Sequence, residues 1–271
     1  MYPSLFQKLK HIVTQLCERF HIIEPKETRQ GRKLAINDVE ALTLSLYKQT
    51  STRATKKSVY EDFKDMLNCS YKTLTITINR VAILSLKLLF VIMRIGKKNA
   101  HWLKSTDATD IPVCLTKNGK RHKTMRGLAG WGRSGKGYYY GLKLTMTRDD
   151  HGRILSLVFS APGENDRELF KKANKDCDGI ILADAGYISK ELEREMFIKG
   201  KRLVLIKPKK NMKKLALPIW AALYKRRFHI EFDFRNLKLF HGLVTSLPRS
   251  LNGYLANYVH ALLSFVLAKA I

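Results

Sequence analysis

The spacing of apolar residues changes once along this chain, near Trp102, and that change limits the fold more than any other feature. Up to about residue 95, apolar side chains recur every three or four positions, as they do on helices. Leu5, Phe6, Leu9, Ile12, Val13, Leu16 and Phe20 form one such face. Asn37 with Glu40 opens a second helix, which carries Ala41, Leu42, Leu44 and Tyr47. Ser58 with Glu61 has the capping-box spacing ahead of Phe63, Met66 and Leu67, and Ser70 precedes a long helix through Met93. Helices at 38–49, 58–67 and 71–94 suit a helix-turn-helix unit or a plain helical subdomain equally well. The most apolar stretch, Val81 to Met93, is interrupted by Lys87 and is too short to span a bilayer. It reads as a buried core helix.

Past Trp102 the period falls to two. Tyr138 to Thr147 alternates, with Leu142, Leu144 and Met146 on one face, and Ile154 to Ser160 alternates again. Asp149 to Gly152 supplies the turn of a hairpin between them. Gly179 to Ala183 and Arg202 to Ile206 are short apolar runs of the kind that form buried strands. Helices are predicted from Asp166, over Ser189–Lys199, over about 219–240 and over 254–270. Strand, hairpin, helix, strand, helix, strand, helix is a mixed α/β order, with helices packed on a sheet. The predicted division is an all-helical subdomain over 1–98, DNA-binding if its helices form the helix-turn-helix unit, and an α/β domain over 99–271.

Charge narrows the partner. The 271 residues hold 50 Lys and Arg against 23 Asp and Glu, a formal net charge of +27, while 45% hydrophobic residues suffice for a core. DNA or RNA is the simplest polyanion to match such a surface, because counterion release drives basic proteins onto phosphate backbones, with an anionic membrane surface the weaker alternative. A membrane partner is not expected. Lys207, Lys209, Lys210, Lys213 and Lys214 form one candidate DNA-tracking loop, and Lys117 to Lys123 another. Trp131, set among glycines, reads as a core residue or a base-stacking one. The four cysteines show no C-x-x-C pair, and the start lacks a signal-peptide pattern. Both fit a reducing cytoplasm.

Three acidic residues stand where chemistry could use them. Asp107 follows the first predicted strand, with Asp110 competing for the same role. Three positions apart on a strand, they face opposite ways. Asp184 ends a buried strand, the edge where open α/β sheets bind ligands. Glu231 lies in a run with Tyr224, Arg227 and Lys238 whose spacings, at about 100° per residue, put the other three within about 40° of Glu231 on a single helix. Asp233 points away and is expected to be solvated or paired elsewhere. Three carboxylates repel one another unless a cation sits among them. Mg²⁺ suits the set, since it takes oxygen ligands and keeps waters for a phosphate and a nucleophile.

Tyr224, Arg227, Glu231 and Lys238 have the spacing Y-x2-R-x3-E-x6-K. With Asp107-Ala-Thr-Asp-Ile-Pro112, Tyr139-Tyr-Gly-Leu-Lys-Leu144, Gly163-Glu-Asn-Asp166 and Ala183-Asp-Ala-Gly-Tyr187, this segment resembles insertion-sequence DDE transposases. The resemblance covers residues 100–271. It implies a ribonuclease H-like mixed sheet flanked by helices, and a transposase that binds element ends, cuts DNA and joins the freed 3′ end to a target. It implies Asp107, rather than Asp110, with Asp184 and Glu231 as catalytic, metal-holding residues for two Mg²⁺ ions, with Mn²⁺ as a substitute. Tyr224, Arg227 and Lys238, with Lys209 and Lys210 of the basic loop, would bind DNA. Element ends and target DNA are the implied partners, with a homodimer on DNA, in the nucleoid-associated bacterial cytoplasm. A catalytically inactive DNA-binding relative and a ribonuclease H-like nuclease that cuts without joining are the alternative readings.

Overall fold

The computed structural model describes residues 4–22, 34–51, 53–206 and 218–270. The chain falls into two compact units. One comprises 1–92 with 237–243 and 247–271, and the other 93–236 with 244–246.

The helical unit is built from α1 (Ser4–Arg19), α2 (Asp38–Thr50), α3 (Lys56–Phe63), α4 (Tyr71–Arg80), the first part of α5 (Ala82–Lys98) and α10 (Leu251–Ala270). Side-chain caps start the helices. Asn37 accepts from the Glu40 amide and Ser70 from the Thr73 amide, each satisfying a donor that the first turn leaves free. The third helix begins earlier than its capping-box spacing suggests. Thr55, not Ser58, is the cap, and its hydroxyl takes the Ser58 amide. The long helix expected from Ser70 breaks at Val81 into α4 and α5.

The stretch expected to be buried throughout is buried on one face only. Val81, Leu88 and Leu89 are inside, whereas Ile83 and Phe90 are exposed. By length and composition Tyr71–Lys98 and Leu251–Lys269 could each cross a membrane. The first is broken at Val81 and exposes Arg80, Lys87 and Arg94, and the second is 72% buried within the protein. α10 follows the sheet in sequence but packs with α2 and α4. Its two aromatic anchors, Tyr254 and Tyr258, and its apolar residues Leu263 and Phe265 are buried there.

The second unit contains β1 (Leu103–Pro112), β2 (Gly130–Ser134), β3 (Gly137–Asp149), β4 (Ile154–Ser160), α6 (Asp166–Ala173), β5 (Gly179–Ala183), α7 (Lys190–Gly200), β6 (Arg202–Ile206), α8 (Pro218–Lys225) and the start of α9 (Phe228–Leu239). Strand β1 is central. It runs antiparallel to β3, which pairs antiparallel with β4, and on its other side it runs parallel to β5, itself parallel to β6. Three antiparallel strands followed by two parallel ones, β4-β3-β1-β5-β6, is the ribonuclease H-like arrangement. Gly141 sits where β3 pairs with both β1 and β2, and a Cβ there would stand 2.0 Å from the Ile111 carbonyl oxygen.

Alternation along β5 sends Ile181 and Ala183 to one face, against Phe170 of α6 and Leu192 and Met196 of α7. Leu182 goes to the other, with Leu103, Leu205 and Leu223 of α8. Helices therefore cover both faces, as buried parallel strands require.

Candidate active site

Strand register brings the two aspartates together. β1 and β5 are adjacent and parallel, and their last paired position is Ser105 with Leu182. Two residues further on, the chain presents Asp107 on one side and Asp184 on the other. Equal spacing from a paired position keeps both on the same face, the one that α8 covers. Asp184 lies just past the end of β5, at the N-terminal edge of a 3₁₀ turn over Ala185–Tyr187, and its side chain does not cap that turn. It is left pointing outward, 53% exposed.

The C-terminal stripe is not one helix. The chain turns at Arg226–Arg227, between α8 and α9. Across the turn, amides reach back three residues rather than four: Arg227 N to Tyr224 O at 3.0 Å and Ile230 N to Arg227 O at 3.1 Å. Tyr224 therefore belongs to a different helix from Glu231, although its ring stays beside Arg227. Arg227 and Glu231 keep their i, i+4 relation, with Glu231 in the first turn of α9.

Arg227 is the centre of the arrangement. Its guanidinium donates through Nη1 to Asp107 Oδ2 at 2.7 Å and through Nη2 to Glu231 Oε1 at 2.8 Å. Nη2 also lies 3.8 Å from Asp184 Oδ1. One planar fork thus meets all three carboxylates, a geometry that an ammonium could not reproduce. Asp107 also accepts from the Ala108 amide. Burial pushes its carboxyl up to about 6, against the pull of Arg227 and with a further push from Asp184. Burial works against the charge of Arg227, but Asp107, Tyr224, Asp184 and Glu231 outweigh it and raise its pKa further. Its Nε is buried without a hydrogen-bond partner among the described residues.

Of the two candidates on β1, Asp107 meets Arg227, while Asp110 pairs across the strands with Lys143, itself bonded to Asp166 at 2.6 Å. Asp233 is buried, paired with Arg148 of β3 at 3.2 Å. Tyr224 is half-buried, its ring 5.7 Å from the Arg227 guanidinium carbon. Lys238 is half-buried in the part of α9 that belongs to the helical unit. Lys209 and Lys210 lie outside the described residues.

Sequence reasoning assigned no role to Tyr187. Its ring packs on Phe170, and burial, then Asp107, Asp166 and Asp184, raise its pKa, so that the phenol keeps its proton. The available signal was its position three residues after Asp184, which a 3₁₀ turn carries back toward the strand end.

All donors at this site are carboxylate oxygens, the chemistry that a hard divalent ion prefers. The donor set fits such an ion in kind. In the present arrangement the positive charge comes from Arg227, and among the described residues no three His, Cys, Asp or Glu side chains stand close enough to share a metal.

No curated protein matches the chain. Among solved structures, a Mos1 transposase paired-end complex with the left transposon end is 13% identical, with 94% of this chain and 87% of that one covered and a TM-score of 0.28. The Mos1 mariner paired-end complex with Mn is also 13% identical, over 94% and 86%, with a TM-score of 0.26. Likeness this weak says nothing about the site. The family comparison reaches further: residues 97–250, which run from the end of α5 through β1, β5 and α9 and so carry Asp107, Asp184, Arg227 and Glu231, match the transposase DDE domain. A ribonuclease H-like sheet that brings two aspartates and a glutamate around one cation, inside a segment that matches this domain over more than half of the chain, leaves one conclusion: the chain belongs to the transposase DDE domain family.

Proposed function

We propose that this transposase binds the ends of its element, cuts DNA beside a 3′ end and joins the freed 3′-hydroxyl to target DNA, with Asp107, Asp184 and Glu231 as catalytic, metal-holding residues. The observation that carries the reading is the convergence of these three carboxylates, two from adjacent strands and one from a helix, in a chain of net charge +27. These three would hold a divalent ion, Mg²⁺ in this reading, which would supply Lewis-acid activation of a water or a 3′-hydroxyl and charge to offset the leaving oxygen.

The chain's own groups do the positioning. Before DNA arrives, Arg227 offsets the repulsion among the carboxylates and holds them on one side of the sheet. Its fork suits bidentate contact with the phosphate beside the cut. Tyr224 offers an aromatic face beside the guanidinium. Lys209, Lys210 and Lys238 serve as phosphate contacts. Handling two ends at once calls for a dimer on DNA, in a bacterial cytoplasm.

The test uses purified protein on labelled end DNA, with and without Mg²⁺. Mg²⁺-dependent nicking beside a 3′ end, followed by joining, is expected. Cutting without joining would identify a plain nuclease, and binding without cutting an inactive relative.

A further inference from the structure

Between β1 and the body of β3 lies a structure that the carboxylate site does not use. From Ile111 to Arg148 there is no acidic residue, and all seven Lys and Arg between 112 and 142 are exposed. Here β2 and the first residues of β3 form a two-stranded ribbon. Its register runs from Gly130 with Gly141 to Ser134 with Gly137, and β1 stops at Pro112, opposite Gly141.

The ribbon has two distinct faces. One is seated: a Cβ at Gly132 would stand 2.6 Å from Pro162 and 2.7 Å from the Tyr139 ring. The other is open and carries Trp131, Arg133 and Tyr138, with Tyr138 67% exposed. On it the Arg133 guanidinium lies over the Tyr138 ring at 5.7 Å, and Trp131 meets Tyr140 edge-on at 5.5 Å. The basic 3₁₀ turn Thr116–Arg121 is fixed to this same face, because Gly119 leaves room for the Trp131 ring. Trp131 thus ties a cationic loop to a cationic ribbon. Arg133, Lys136, Lys120 and Arg121 make no ion pair among the described residues.

We propose that this ribbon and its attached turn are a duplex-DNA arm, with Arg133, Lys136, Lys120 and Arg121 on phosphates and Tyr138 against the groove. This rests on the reading that the chain acts on DNA. Charge without acidic neighbours favours a polyanion, and a two-stranded ribbon is of a width that the major groove admits. At about 3.3 Å per residue the ribbon begins about 17 Å along β1 from Asp107, a reach of about five base pairs of duplex. The arm holds DNA that has already entered the site, not the cleaved phosphate itself.

The experiment compares Arg133→Glu/Lys136→Glu and Lys120→Glu/Arg121→Glu with a control of equal charge change on other exposed lysines, Lys175→Glu/Lys190→Glu. Duplex affinity is measured against NaCl concentration. Each arm variant should flatten the log–log salt slope by about 2, at about 0.9 per phosphate contact. The control should keep the wild-type slope. In the wild-type protein, duplex DNA should protect Lys120 and Lys136 from acetylation read by mass spectrometry, a measurement that needs no variant to fold. Arm variants with the wild-type slope, or lysines that stay reactive on DNA, would overturn the proposal. So would arm variants that lose binding to anionic vesicles while keeping their DNA slope, which would assign the surface to a membrane. A wild-type protein with no salt-dependent DNA binding would instead remove the DNA reading itself.

Discussion

Each unit of this protein gathers polar groups inside, and the two gatherings are built on opposite principles. In the helical unit, His260 of α10 reaches three other helices. Its Nε2 donates to the Ile78 carbonyl at 3.0 Å, an acceptor near the break between α4 and α5. That fixes the tautomer, so Nδ1 accepts, from Ser85 at 2.8 Å, with the Ser45 hydroxyl at 3.1 Å. Ser45 has the Leu42 carbonyl as a second partner. Beside it Lys48 donates to Asn257 and Gln49, and Asn257 donates to the Gly242 carbonyl. His260 is 2% exposed, and burial pushes its imidazole down to about 3, so it stays neutral.

The carboxylate cluster is the reverse. Three anions share one cation, two of them are about half exposed, and the third is held far from its ordinary pKa by burial. A sealed, satisfied network specifies packing. An open, under-neutralised one keeps lone pairs for a ligand.

The largest expected effect tests the open cluster. Asp107→Asn, Asp184→Asn and Glu231→Gln should each abolish Mg²⁺-dependent cleavage without lowering thermal stability, since each removes an anion from a crowded set. Asp110→Asn should cut nearly normally. If Asp110→Asn is dead and Asp107→Asn active, the cluster has been assigned to the wrong strand position.

Next comes the sealed network. His260→Ala leaves the Ile78 carbonyl and the Ser85 hydroxyl without their partner, at about 1–3 kcal/mol for each unsatisfied group. Urea unfolding should show a loss of about 3 kcal/mol, with normal cleavage by the folded fraction. A stable but inactive His260→Ala would erase the contrast between the two clusters.

Arg227 gives a finer test. Arg227→Met should lower the metal-free melting temperature by the equivalent of about 1–2 kcal/mol, discounted for the exposure of Glu231 and Asp184. It should also enlarge the rise in melting temperature that Mg²⁺ produces. Arg227→Lys should restore stability only in part and should not restore cleavage. An unchanged Mg²⁺ effect in Arg227→Met would mean that the guanidinium does not stand in for metal charge.

The smallest effect is a pH dependence in the helical unit. Burial, and then Lys56, lower the pKa of Lys48 to about 8 from its ordinary 10.5. Unfolding therefore takes up a proton between these values, and stability rises with pH across that window. Against Lys48→Met, in which this titration is gone, the wild type should gain melting temperature from pH 8 to pH 10. A constant difference between the two proteins would show that Lys48 is solvated.

Much of this was legible in the sequence, and the parts that were not share a cause. The caps at Asn37 and Ser70 and the hairpin of β3 and β4 are local. Each rests on residues a few positions apart, and each is present where the spacing put it. The capping box at Ser58 was misplaced because Thr55 caps the helix one turn earlier by taking the Ser58 amide, and the helix over 219–240 was drawn through a turn that periodicity cannot register. The three carboxylates were visible as residues, but their shared pairing with Arg227 was not.

Charge, the change of hydrophobic period and the spacing of the acidic residues were therefore determined by the sequence itself, because helix and strand periods and caps depend on near neighbours alone. Only the tertiary structure decided that Arg227 would meet Asp107, 120 positions away, that His260 would join α10 to the first helices, and that Asp233 would be buried against Arg148. Ion pairs and buried hydrogen bonds act over a few ångströms of space. The partner of a desolvated group is chosen by whichever strand or helix the fold carries to its side.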